Sequence, residues 1–182
     1  LAGGNPKAYP YDGRSFKASL LNNTNKHRKF VYGIHNNIPE GPPYPIRSVS
    51  DGEYHYIRNL LPAEIYMEKH LMGTRGNGSL NNPYWSTWIW DSWNTPRTYR
   101  LVKRFMHRPA EQLYNINYDP YEMNNLANSK EHYKQLTKLR EALDKWMNAQ
   151  KDPGATVDTI EAIQASRKNK HLHGQDATKS IR

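Results

Sequence analysis

The sequence predicts an α+β fold, a small antiparallel β-sheet with a covering C-terminal helix, and three observations predict it. Short strand-like runs recur at "KFVYGIHNN", "YPIRSVSDGEYHYIRNL" and "AEQLYNINY". The middle run is interrupted by Asp51-Gly52, a dipeptide that accepts the positive φ angles of a tight hairpin turn. Nearer the C-terminus, "SKEHYKQLTKLREALDKWMNAQ" repeats apolar residues at helical spacing.

Taken in order, the first 15 residues are rich in Gly, Pro and Tyr and read as an ordered loop or linker. "SFKASLLNN" has room for one or two helical turns. Phe30, Val31, Tyr32 and Ile34 follow one another closely enough to predict a strand buried on both faces, with His35-Asn36-Asn37 at its exit. After the Pro-rich "IPEGPPYP", a two-residue turn at Asp51-Gly52 would pair Val49 with Tyr54 and Arg47 with Tyr56 on one face of a hairpin. Ile46, Ser48, His55 and Ile57 would occupy the other face. A two-stranded ribbon is marginal alone, so further strands or a helix must cover it.

"PAEIYMEKHLMG" predicts a helix closed by Gly73, and "TRGNGSLNNP" a loop. "YWSTWIWDSW" packs four tryptophans into ten residues. Arg97, Arg100, Lys103, Arg104, His107 and Arg108 recur every three or four positions, which aligns them along one side of a helix. In "DPYEMNNLA", Asp119 as N-cap, Pro120 at the first helical position and Glu122 at the third predict a helix start. The clearest helix carries Tyr133, Leu136, Leu139, Leu143, Trp146 and Met147 as its apolar stripe and stops at "DPG", residues 152 to 154. The remainder is polar and weakly patterned, a tail that is either wrapped over the domain or partly mobile.

A chain of 182 residues is long enough for one domain with a core. Only 36% of it is apolar and 12% is aromatic, so the interior must be built from Tyr and Trp, as in cores shared with a neighbour. The net charge of +9 favours anionic partners without choosing among nucleic acid, anionic glycan and membrane headgroups. The absence of cysteine excludes disulfides, Cys-ligated zinc and a Cys nucleophile within this chain. No run approaches the roughly 20 apolar residues of a membrane span. The start at Leu1, within a stretch lacking a helix or strand of its own, reads as the interior of a longer polypeptide.

Hydrolase motifs are missing: there is no G-x-S-x-G, no H-E-x-x-H, no phosphate-cradling Gly loop and no tight cluster of carboxylates. His171 and His173 lack acidic companions. The basic stripe suits a polyanion or a solvated helix face. Trp85, Trp88, Trp90 and Trp93 suit stacking on sugar rings or bases, or a core or interface. His35, followed by two Asn side chains, offers several donors and acceptors in one place. Arg47 is suited to hold a substrate anion or to stack between Tyr54 and Tyr56.

In sequence order, "DGRSF", the strand ending in "HNN", "YPIRSVSDGEYHYIRNL", "NNPYWSTW", "RPAEQLYNINYDPYEMNNLA" and "LREALDKWMNAQKDPG" resemble the C-terminal part of a formylglycine-dependent sulfatase. The subgroup most resembled is the heparan N-sulfatases, or sulfamidases. The resemblance implies an alkaline-phosphatase-like enzyme of two domains. The N-terminal catalytic domain, this chain's expected partner, would carry calcium and a formylglycine made from a C/S-x-P-x-R motif. That motif is absent here, as are the metal-holding aspartates, so no catalytic or metal residue is expected in this chain. The organisation implied is a linker over residues 1–29, a sulfatase C-terminal subdomain over 30–154 and a C-terminal tail over 155–182. The strand ending near His35 would join the edge of the large domain's sheet, while the hairpin and "EQLYNIN" would form a small sheet of their own. By position, His35, Asn36, Asn37 and Arg47 would face a sulfated, glycosaminoglycan-like sugar. Nucleic acid is not the favoured partner, and the compartment implied is periplasmic, secreted or lysosomal.

Overall fold

The computed structural model describes residues 13–24, 27–37, 41–73, 82–157 and 159–168, together with Gly4, Pro10 and Ser79. Four strands, β1 (Val31–His35), β2 (Ile46–Ser50), β3 (Tyr54–Asn59) and β4 (Glu111–Asn115), form one sheet in the order β1-β2-β3-β4, each antiparallel to the next. The helices are α1 (Lys17–Leu20), α2 (Lys69–Met72), α3 (Pro83–Ser92), α4 (Pro96–Met106), α5 (Tyr133–Ala149) and α6 (Ile160–Lys168). The expected α+β class, with a long helix over a small antiparallel sheet, is what the chain adopts. Among the described residues no helix is long and apolar enough to cross a membrane.

Strand alternation divides the core in two. On one face Tyr32, Val49, Tyr56 and Leu113 stand side by side across all four strands, since each is paired with the next. Leu136, Leu139 and Leu143 of α5 close over that row and are buried with it. The Tyr32 ring stacks on Trp146 at 4.7 Å, which fixes the C-terminal half of α5. Each such leucine contributes about 1.5–3 kcal/mol through burial. The stripe is narrower than expected at its start: Tyr133 is exposed, and Ala142 is buried beside Leu139 and Leu143. On the opposite face Tyr44, Ile46 and Tyr66 form a second, smaller cluster, joined by Ile57 and by Phe105 from α4.

Several local expectations need correction. β1 pairs with β2 as the edge of the same sheet, so the hairpin and β4 do not form a separate sheet of their own, and Val31 and Ile34 on it are exposed, so it is not buried on both faces. The hairpin is shifted by two residues, with Val49 opposite Tyr56 and Arg47 opposite Arg58. The Asp51 carboxylate accepts from the Glu53 and Tyr54 amides at 3.2 and 2.9 Å, which centres the turn on Gly52-Glu53. Only Gly52 takes a positive φ there, +92°. Because the slip is a whole strand period, the side chains keep their expected faces.

The helix expected before Gly73 shrinks to α2, capped by Glu68, whose carboxylate accepts from the His70 and Leu71 amides. Asp119 does cap, accepting from the Met123 and Asn124 amides at 2.9 and 2.7 Å. Glu122, however, adopts φ +54°, and the segment turns back instead of winding. The long helix begins later, after a 3-10 turn at Lys130–His132. The tail carries α6 among its described residues. His171 and His173 lie outside the described residues.

Candidate functional site

The exit of β1 is where the sequence concentrates polar groups, and three neighbours in the chain meet three different fates there. His35 ends the strand with its side chain exposed, its ring 6.0 Å from that of Tyr66. Asn36 is half-buried, and its Oδ1 accepts from Arg47 Nη1 at 2.9 Å. Asn37 is buried at 1% exposure, donating from Nδ2 to the carbonyls of Pro42 and Met67 at 2.6 and 2.9 Å. It braces the loop from inside. Gly41 completes that brace, because a Cβ there would lie 2.5 Å from the Met67 carbonyl and 2.6 Å from Asn37 Nδ2.

Arg47 is also 1% exposed, and its guanidinium is fully engaged. Nε and Nη2 donate to the two oxygens of Asp152 at 2.5 and 2.9 Å, a bidentate pair across 105 positions of chain. Nη1 donates to the Asn36 side chain and to the Ile46 carbonyl, each at 2.9 Å. The guanidinium over the Tyr56 ring, at 5.7 Å, is that of Arg58. Arg47 therefore ties three things together: the β1 exit, its own strand and the turn that follows α5. Its hydrogen bonds hold the Asp152 carboxyl below the usual carboxylate range against the opposing effect of burial.

Asp152 is the residue that sequence reasoning missed. It was legible only as part of the helix-stopping "DPG", and its amide does bond the Met147 carbonyl at 2.9 Å. Nothing in local spacing announces a partner so far away. Tyr66 was likewise hidden in a stretch read as helix; it packs edge-on against both Tyr44, at 5.2 Å, and Phe105, at 5.5 Å.

The two surface motifs separate into working parts. Arg104 turns inward, donating to the Met123 carbonyl, the Tyr114 hydroxyl and the Glu122 carbonyl. Arg108 lies 3.9 Å above the Tyr66 ring, while Arg97, Arg100, Lys103 and His107 stay exposed. Trp85 is buried against Phe105, whereas Trp88, Trp90 and Trp93 are exposed. Among the described residues no three His, Cys, Asp or Glu side chains gather to hold a metal ion.

No family model matches the sequence. Two curated proteins of Formosa agariphila do, both ulvan-active sulfatases. One is 30% identical over 143 residues, covering 78% of this chain and 25% of the relative. The other is 28% identical over 160 residues, covering 82% of this chain and 23% of the relative. A candidate sulfatase of Bacteroides thetaiotaomicron, known from its crystal structure, superposes with a TM-score of 0.47 at 22% identity, over 78% of this chain and 21% of that one. The sequence matches mark this chain as a sulfatase-like region spanning about a quarter of the length of the curated relatives it matches.

Proposed function

We propose that this chain is the C-terminal subdomain of a sulfatase acting on sulfated sugars, where it completes the fold and shapes the substrate pocket beside an N-terminal catalytic domain. The observation that carries the reading is the similarity to ulvan-active sulfatases along most of this chain and only a fraction of theirs. Calcium and formylglycine belong, on this reading, to the catalytic domain, where they would supply nucleophilic attack on sulfur and stabilisation of the sulfate charge. No step of sulfate transfer is assigned to the present residues. Exposed Val31 and Ile34 on β1, with Trp88, Trp90 and Trp93 on α3, supply apolar surface for the catalytic domain to cover.

Within the site the roles divide by exposure. His35, open to solvent at a strand end, contacts the sugar. Asn36 stands next to it, oriented by Arg47. Asn37 and Arg47, each 1% exposed, serve the substrate by holding that loop in register. Arg47 in particular is a positioning residue, because Asp152 already neutralises its charge.

Sulfate release is the test. The isolated chain should liberate no more sulfate from a sulfated aryl ester than a heat-treated control, and the same chain joined to its upstream domain should liberate it readily. Turnover by the isolated chain would overturn the reading, as would an upstream sequence lacking C/S-x-P-x-R. In the intact protein, His35→Ala should lower kcat/KM about tenfold, the scale of one lost charged contact. Unchanged kinetics would reduce the site to scaffolding. The finer reading, a sulfamidase, rests on the ordered motifs, whereas the matched relatives are named for ulvan. Sulfate release from N-sulfoglucosamine and not from ulvan would favour the first.

A second reading has one observation in its favour, the exposed cations Arg97, Arg100 and Lys103 along α4. An autonomous polyanion-binding module would bind as a soluble monomer, with affinity falling steeply as salt rises.

A further inference from the structure

Most of the arginines that touch the sheet already have an oxygen partner at a terminal amine. Arg47 has Asp152, Arg58 has Asp144, Arg140 has Glu111, and Arg104 has the carbonyls of Glu122 and Met123. Arg108 differs. Its Nε donates to the Phe105 carbonyl at 3.3 Å, and its guanidinium carbon lies 3.9 Å from the centroid of the Tyr66 ring. Among the described residues no carboxylate pairs with it, and neither terminal amine has an acceptor. A half-buried guanidinium held over a ring and anchored at Nε has little rotamer freedom left to lose. Its outer fork is thereby prepared for a planar or tetrahedral oxyanion.

Arg108 lines an open cavity of about 270 Å³ together with Arg104, Ile57, Leu101, Phe105 and Tyr121. The lining combines apolar side chains, an exposed tyrosine ring and two guanidinium groups, which matches a sugar ring carrying an anionic substituent. The nearby carboxylates are accounted for. Glu122 also lines the cavity, and its Oε1 is bonded to His55 Nδ1 at 2.6 Å. Glu68, close to Tyr66, accepts from the amides of α2. Tyr66 is also the ring against which His35 lies, so one aromatic side chain stands between the cavity and the β1 exit.

From this geometry we infer that Arg108 and its cavity form an anionic-sugar subsite, binding the sulfate or carboxylate of a sugar unit neighbouring the one at His35. The inference rests on the sulfated-sugar reading for its ligand, but the site is defined by Arg108, Tyr66 and the cavity alone.

Titration of the 182-residue chain with a heparin-derived disaccharide tests it. The fully sulfated disaccharide and its desulfated, uronate-bearing form serve as separate arms, to tell sulfate from carboxylate recognition. Arg108→Gln should weaken binding of the preferred form about tenfold or more. Arg108→Lys keeps the charge and loses the fork, and should recover only part of that loss. Leu101→Trp fills the cavity without touching the arginine, and should weaken binding equally. Arg97→Gln on the solvated side of α4 should change affinity by less than about twofold. Equal affinity of Arg108→Gln and the unsubstituted chain, or no binding to either disaccharide, would overturn the subsite. Arg108-dependent binding alongside an intact protein that releases no sulfate would sink the sulfatase reading and leave the subsite standing. Sulfate release without Arg108-dependent binding would do the reverse.

Discussion

The two faces of the sheet handle charge in opposite ways. On the α5 face, charged groups of the sheet and its hairpin turn meet opposite charges on the helix or on the turn that follows it: Asp51 with Lys138, Glu111 with Arg140, Arg58 with Asp144, Arg47 with Asp152. Leucines fill the space between them. On the α4 face the sheet offers a smaller aromatic cluster, the pair of His55 with Glu122, and arginines that end on carbonyls and rings. One face is closed by its own partners, and the other retains positive charge, a cavity and exposed tryptophans for something outside. The stability of this region and its capacity to bind are thus built on opposite sides of the same four strands.

Breaking the closed face should cost most where a charge would be stranded. Arg47→Met leaves the Asp152 carboxylate buried at 4% exposure with its main partner gone. Removal of one member of such a pair typically destabilises by about 3–5 kcal/mol. Denaturant unfolding should register this loss, and the double variant Arg47→Met with Asp152→Leu should recover much of it. A single variant as stable as the parent would mean that the clamp contributes nothing. Next in size is Leu139→Ala, which opens a void beneath α5 at a fully buried position and should cost about 2–5 kcal/mol. The matching change on the other face, Leu101→Ala, removes a side chain that is 40% exposed and should cost far less.

This division was only half legible in the sequence. Period-two alternation put Val49 and Tyr56 on one face and Ile57 on the other, and helical spacing found Leu136, Leu139 and Leu143, because those signals are local and repeat. The hairpin turn was placed one residue early and its register one strand period off, since Asp51 can either enter the turn or cap it with its carboxylate. Asp119 illustrates the same limit: every local feature of a helix start is present, and the positive φ of Glu122 overrides them. At the candidate site, His35 to Asn37 drew notice for their polarity, yet burial alone separates the exposed His35 from the internal Asn37, and burial depends on residues dozens of positions away. Asp152 and Tyr66 could not be recognised at all, since their partners lie far off in the chain.

Acid should distinguish the faces next. The Arg140 hydrogen bonds hold Glu111 below its usual range and Arg47 does the same for Asp152. For Asp51 burial pushes upward, but Lys138 and the Tyr54 and Glu53 amides outweigh it. Carboxylates depressed on folding contribute stability that is complete above their unfolded pKa values, about 4, and is lost as pH falls through the lower folded values. Unfolding midpoints should therefore be level above about pH 5 and fall steadily below it. Glu111→Gln should flatten that slope. Equal slopes in the Glu111→Gln variant and the parent would remove the closed face from the account of acid sensitivity.

The smallest effect sharpens the contrast most. Arg97 and Arg100 lie on the outer side of α4 with no carboxylate partner among the described residues, so neutralising both removes charge without breaking a contact. The doubly substituted chain, Arg97→Gln with Arg100→Gln, should unfold within about 0.5 kcal/mol of the parent, the usual range for surface changes away from caps and ion pairs. Its salt dependence is the more telling quantity. If the open face attracts anionic glycan through its overall field, the substituted chain should bind the same sulfated disaccharide with a shallower dependence on ionic strength while keeping the contribution of Arg108. A stability loss comparable to that of Leu139→Ala would mean that these cations support the fold after all, and the division of labour between the two faces would no longer hold.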